Sequence, residues 1–226
     1  MYLNFYYAKK SSFDFLNGLF INNNKKWVDE HRMEYDQTLE DYTSFNQNLI
    51  SAISKFDQSI ARSEFQAKDC IPGLNRDLRF TKDKSPYKTY LYSIITESGR
   101  KSGKSGYFMV MSPGECYIGA GAFQPEPDRL KKIREKIDHN FNEWKKIAED
   151  TKLLKAFPEG IVAQESLQKI PKGFDADSPA EEFLKMKGFF VRNFHPDTFF
   201  RGKDNFSDMV ESFKACQHLN QFVNDI

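Results

Sequence analysis

Pro113-Gly114 stands between two runs, GYFMVMS (106–112) and ECYIGAGAF (115–123), and no feature of the chain constrains its folding more. The first run is rich in aromatic and bulky apolar residues, and the second alternates small with apolar ones, so both favour extended backbone. A Pro-Gly step is a turn signal. Residues 106–124 are therefore predicted to form a β-hairpin. YKTYLYSIIT (87–96) has the same β-branched and aromatic character and supplies a third antiparallel strand.

On either side the apolar period changes to that of a helix. Phe13, Leu16, Leu19 and Phe20 make one short stripe, ended by the run Asn22-Asn23-Asn24. Asn24 is suited to cap the next helix, because its side-chain oxygen can accept an orphan backbone N–H. From Trp27 through His31, Tyr35, Leu39, Tyr42, Phe45, Leu49, Ile53 and Phe56 the stripe recurs every three or four residues. It predicts one long helix, or two with a break near Thr38. After Pro125 and Pro127, Leu130, Ile133, Ile137, Phe141, Trp144 and Ile147 give another buried face. FLKMKGFFVRNF (183–194) reads as a helix end entering one more strand, and Phe206, Met209, Val210, Phe213, Cys216 and Leu219 as a final amphipathic helix. Helices, strands, then helices predict an α+β fold. N-terminal helices, a central antiparallel sheet and further helices packed on it would form one domain over residues 1–226, since no repeat or linker interrupts the chain.

With 226 residues there is enough chain for a sizeable core, and 22 Phe make that core Phe-rich. A net charge of +1 disfavours broad coating of nucleic acid or membrane, so anion binding would have to come from a local cluster. The opening residues have no basic stretch before a continuous apolar run, and no signal peptide is expected. No segment approaches the about 18 apolar residues of a membrane span. Cys70, Cys116 and Cys216 have no C-x-x-C spacing and are expected to be free, buried thiols in a reducing cytoplasm.

Several familiar mechanisms lack their signatures. GRKSGKS (99–105) imitates a phosphate-binding loop, but Gly99 and Gly103 enclose three residues where that motif needs four, and a strand follows where it needs a helix. His31, His139, His195 and His218 stand alone, without metal-ligand spacing. No G-x-S-x-G is present. No metal and no cofactor is indicated.

One segment does concentrate chemistry. NRDLRFTKDKSPYKTY (75–90) sets Arg76, Arg79, Lys82, Lys84 and Lys88 against Asp77 and Asp83 alone. Arg holds carboxylate or phosphate through parallel N–H bonds, and Lys adds a mobile point charge. A helical turn over 74–80 would put Arg76 and Arg79 on one face. Ser85-Pro86 forces extended backbone near Lys84. Two readings are open: an anion pocket in which Asp77 or Asp83 orients an Arg or acts as acid or base, and an ion-pair network that joins helices to sheet.

At this segment the chain resembles a bacterial and fungal family of uncharacterised proteins, a domain of unknown function of about this length. Its hallmark R-D-x-R-F-x-x-D-K-x-P-Y-K is matched by Arg76, Asp77, Arg79, Phe80, Asp83, Lys84, Pro86, Tyr87 and Lys88. NNNKKWVDEHRMEY (22–35), GAGAFQPEPDRLKKIR (119–134) and PKGFDADSP (171–179) resemble further family elements, and Lys187 a basic residue beyond them. Phe123 stands where the family has Trp, and Ser178 where His is expected, which removes an imidazole from this chain. The resemblance implies an α+β fold and a cytoplasmic protein, and carries no activity with it. It suggests that the Arg76–Lys88 segment, the Gly119/Gly121 strand, Arg134 and Lys172 meet in one cleft.

The resulting expectation is a small anionic ligand, phosphate- or carboxylate-bearing, held by Arg76, Arg79, Lys84 and Lys88 with a hydrogen bond from Tyr87. A nucleic-acid module stacking bases on Phe80, Tyr87 or Tyr90 is the first alternative, disfavoured by net charge. A protein–protein adaptor with a purely structural charge motif is the second. Oligomeric state is open.

Overall fold

The hairpin forms where Pro113-Gly114 places it. In the computed structural model, which describes residues 7–202 and 204–226, β2 (Gly106–Met111) and β3 (Cys116–Ala122) pair antiparallel, and Gly114 takes the positive φ that the turn requires. β1 (Leu91–Ile95) adds to the free edge of β2, and β4 (Phe189–His195) to that of β3. The order is β1-β2-β3-β4, antiparallel throughout. The α+β class is as expected.

The first strand starts at Leu91, later than the run from Tyr87 suggested. Residues 74–88 form no helical turn either. They double back on themselves, with Asn75 bridged to Tyr87, the Arg76 N–H bonded to the Pro86 carbonyl and the Lys88 N–H to the Leu74 carbonyl. The extended backbone imposed before Pro86 favours this narrow loop over a helix.

In α1 (Lys10–Ile21), Phe13, Leu16 and Leu19 are buried as predicted, but Phe20 is 73% exposed and Phe15 takes its place in the core. Phe20 follows Leu19 directly, and successive helical residues point about 100° apart. Asn24 caps α2 (Lys25–Glu30), accepting the Trp27 N–H at 3.0 Å. The break in the long stripe falls at His31 rather than near Thr38, and α3 (Arg32–Ile53) runs on unbroken. His31 stacks on Trp27 with ring centres 4.0 Å apart, which stabilises the corner.

Two short helices, α4 (Gln58–Ala61) and α5 (Ala67–Cys70), lead to the sheet. Beyond β3 the predicted single helix is two, α6 (Pro127–His139) and α7 (Phe141–Ala148), divided at Asn140. α8 (Thr151–Ala156) and α9 (Glu181–Lys185) enclose an irregular stretch. Within that stretch Val162 bridges to Phe190 and Ser166 to Met186. α10 (Asp197–Arg201) is followed by α11 (Asn205–Ala215) and α12 (Gln217–Asn224), where one closing helix was predicted; they part at Cys216.

These helices cover one face of the sheet. The Tyr107 ring packs edge-on against Phe213, and Trp144 lies among Phe183, Phe189 and Phe222. The buried cluster extends from Ala8 to Val223 and is Phe-rich. Asp41, Asp57 and Arg134 are buried with it; Asp57 is 4% exposed and accepts from the Tyr107 hydroxyl at 2.7 Å and from the Ser59 N–H and hydroxyl. All three cysteines are free and buried, and burial pushes the Cys70 and Cys116 thiols up to about 12, away from nucleophilic use. No helix among the described residues is long and apolar enough to cross a membrane.

Candidate functional site

The charges of residues 75–88 are spent largely on one another. Arg76 ion-pairs with Asp83 and donates to the Ser85 carbonyl at 3.1 Å. Asp83 also accepts from the Ser85 N–H at 2.9 Å and its hydroxyl at 2.7 Å. Arg79 grips Asp77 through Nε and Nη2, at 3.0 and 2.7 Å. Lys84 donates to the Leu78 carbonyl at 3.0 Å, and Lys88 to the carbonyls of Gly73 and Asn75. Asp77 is held at about 2 by Arg79, and Asp83 at about 2 chiefly by the Ser85 donors. Carboxyls that acidic are ionised at neutral pH and weak as bases, because efficient proton transfer wants a pKa near the working pH. At the tip, Phe80 is 94% exposed, with the Arg79 guanidinium 5.6 Å from its ring centre.

The remaining predicted residues separate. Gly119 and Gly121 lie on β3, but the space over Gly119 is filled by the Phe108 ring and the Val191 carbonyl, and that over Gly121 by the Phe189 carbonyl and the Phe190 backbone. They let protein atoms approach closely, and Gly121 also lines a groove on the sheet face. Arg134 is buried on α6 and donates to the Met186 carbonyl at 2.7 Å, with burial pulling its pKa down. Lys172 is exposed in the loop before α9. Ser178 is a local brace, donating to Asp138 at 2.6 Å and accepting from the Ala180 N–H at 3.2 Å. Lys187 pairs with Glu165 at 2.8 Å.

What the strands assemble instead is a groove on the face of the sheet opposite the helices. Side chains alternate across a pleated strand, so the register puts Tyr92 beside Val110 and Val110 beside Tyr117 on that face. Phe108 lies between Ile94 and Gly119, and Arg192 follows on β4 opposite Gly119. Tyr90, Tyr92, Phe108, Tyr117 and Phe123 line a cavity of about 520 Å³, with Arg100 and Lys104 from the β1–β2 loop as its cations and no carboxylate in its wall. The volume suits a small-molecule site, for which roughly 300–1,000 Å³ is usual. The loop that supplies Arg100 is braced by Thr96, whose hydroxyl meets the Gly99 carbonyl at 2.6 Å and Ser102 Oγ at 2.9 Å. It runs into β2, a strand, as the phosphate-loop comparison required.

Electrostatics connect this groove with the charged loop. Lys104 is paired with Glu97 at 3.0 Å, whereas Arg100 has no ion pair among the described residues. The Lys88 pKa is lowered by burial first, then by repulsion from Arg100 and from Arg76. Arg100 also lowers the Tyr92 pKa against the rise that burial causes. Arg100 lines the groove together with Tyr90 and Tyr92. On the far side, Arg192 lies 5.3 Å from the Phe194 ring centre, its Nε buried without a hydrogen-bond partner. Burial raises the Tyr117 pKa, and Tyr92 and Tyr117 both remain hydroxyl donors at neutral pH. Among the described residues no group of three or more His, Cys, Asp or Glu side chains could hold a metal ion.

Arg100, Arg192, Tyr92 and Tyr117 were not singled out in the sequence. A signal was present: Tyr92, Ile94, Phe108, Val110 and Tyr117 make both faces of their strands apolar, and the helices on one side cover only one of them.

A helix-backed antiparallel sheet whose other face carries a partly exposed aromatic groove that no helix among the described residues covers defines the molecule as an α+β protein with this groove as its candidate binding surface. The chain belongs to the family of conserved hypothetical proteins DUF2461, whose model matches residues 11–222. Neither the curated proteins nor the solved structures contain a match to the chain.

Proposed function

We propose that the protein binds a small phosphate- or carboxylate-bearing anion on the open sheet face, at the rim where Arg100 lines the groove with Tyr90 and Tyr92. The observation that carries this reading is a groove with Arg100 and Lys104 in its wall and no carboxylate among its lining residues, Arg100 having no ion pair among the described residues. An anion at Arg100 would supply that partner, and the tyrosine hydroxyls would complete its hydrogen bonds. Arg76, Asp77, Arg79, Asp83, Lys84 and Lys88 act by bracing their own loop, Lys88 through the carbonyls of Gly73 and Asn75. In this reading the charged motif stands beside the site and does not touch the ligand. Mechanistic acid–base roles for Asp77 and Asp83 are not invoked.

Thermal unfolding against inorganic phosphate, sugar phosphates and dicarboxylates tests the proposal. A ligand at about 100 times its dissociation constant adds about 2.7 kcal/mol, which for a chain of this size raises the melting temperature by about 5–10 °C. The response should vanish in Arg100→Ala and persist in Arg79→Ala, whose guanidinium is tied to Asp77. No shift with any anion, or a shift lost in Arg79→Ala but kept in Arg100→Ala, would overturn it.

A further inference from the structure

Resting on that reading, we infer that the ligand carries a planar ring next to its anionic group, as a nucleoside monophosphate does. A bare phosphate at Arg100 would fill a small part of a cavity of about 520 Å³ and leave its aromatic wall wet. The wall has a particular shape. The Tyr90 and Tyr92 rings stand 5.9 Å apart and inclined at 38°, forming one side of the groove. Tyr117, packed against Phe194 at 5.3 Å, forms the other, two strands away across Val110. Tyr90, Tyr92 and Tyr117 all line this one cavity.

Between these walls the floor is apolar. Val110 and Phe108 supply it, and the Phe108 ring tip occupies the space over Gly119, which has no side chain to displace it. Tyr90 is 38% exposed, so its ring presents surface that none of the described residues covers. A flat ring laid on this floor would cover the aromatic surface and stack against Tyr90, while its phosphate reached Arg100. Stacking of a base on an aromatic side chain depends on the π-face and tolerates any base, so a ring is specified and its identity is not.

Charge selects the same occupant. With Arg100 and Lys104 in the wall and no carboxylate, the groove repels a cationic ring and favours an anionic one.

The experiment is calorimetric titration of the full chain with adenosine monophosphate, ribose 5-phosphate, adenosine, inorganic phosphate and a short single-stranded oligonucleotide. Adenosine monophosphate is expected to bind tenfold or more tighter than ribose 5-phosphate, since stacking one base contributes about 1–3 kcal/mol. Tyr90→Ala should remove that advantage, bringing the affinities for adenosine monophosphate and ribose 5-phosphate together. Tyr117→Leu, which keeps apolar bulk without the ring, gives a second reading should Tyr90→Ala melt early. Equal affinity for the two phosphates overturns the ring and leaves the anion reading standing. Adenosine binding as tightly as its monophosphate overturns the anion reading. An oligonucleotide that binds far tighter than the mononucleotide, with a steep salt dependence, overturns the small-ligand proposal in favour of a single-strand interface. Binding of none of the five overturns both.

Discussion

The Asn23 side chain completes a backbone pairing for Tyr87. Its Nδ2 donates to the Tyr87 carbonyl at 2.9 Å, and the Tyr87 N–H donates to Asn23 Oδ1 at 3.0 Å. One amide thereby fastens the corner between α1 and α2 to the base of the charged loop, which has no strand on that side. Asn23→Ala leaves both backbone groups without these partners and should cost about 1–3 kcal/mol. Asn23→Asp keeps the acceptor and loses the donor, and should be destabilising as well. Urea midpoints report both; an unchanged midpoint for Asn23→Ala would mean that water replaces the amide.

The ion pairs of the loop set its behaviour in acid. Asp77 and Asp83 titrate at about 2 in the folded chain, below the about 3.9 of a free aspartate. Folded values below unfolded ones contribute stability that is fully present above about pH 4 and is lost as pH falls through about 2. Carboxyl chemical shifts followed from pH 5 to 1.5 should place both midpoints near 2. Midpoints near 3.9 would show that the loop pairs do not persist in solution.

Tyr107→Phe removes the hydroxyl that Asp57 accepts from inside the core. A buried carboxylate deprived of a donor should cost about 2–3 kcal/mol, more than the net value of a neutral hydrogen bond. Asp57→Ala in the same chain should add less than its effect alone, because the two side chains share one interaction. Strict additivity in chemical denaturation would show that they are not coupled.

Two glycines separate strain from overlap. Gly121 has a φ of +123°, and a Cβ there would run into the Phe189 carbonyl and the Phe190 backbone; Gly173, with a φ of +98°, faces open space. Gly173→Ala should cost about 1–2 kcal/mol from backbone strain alone. Gly121→Ala should exceed it by about 1–3 kcal/mol, the usual cost of overpacking. Equal costs in thermal unfolding would mean that β3 and β4 separate easily.

Local residue pattern carried much of the fold. Pro113-Gly114 between two β-rich runs specified the hairpin, the stripes specified the buried faces of α1, α3 and α6, and Asn24 marked a helix start, because each of these depends on neighbours a few positions away. Breaks at His31, Asn140 and Cys216 were not legible, since a stripe continues in step across a short interruption. The density of charge in residues 75–88 was likewise visible, but not its destination. Whether Arg79 reaches a ligand or Asp77, two residues off, depends on how the loop closes, and that closure uses Asn23, 64 positions from Tyr87. The groove was least visible of all. Tyr92, Tyr117 and Arg192 become neighbours through strand register, and Arg100 joins them through a loop folded beside β1. By itself, then, the sequence determined which segments are helix or strand and which side chains are apolar, through short-range period and propensity. Tertiary structure alone decided which apolar face stays uncovered and which cations stay unpaired, because coverage and pairing are settled between elements distant in the chain.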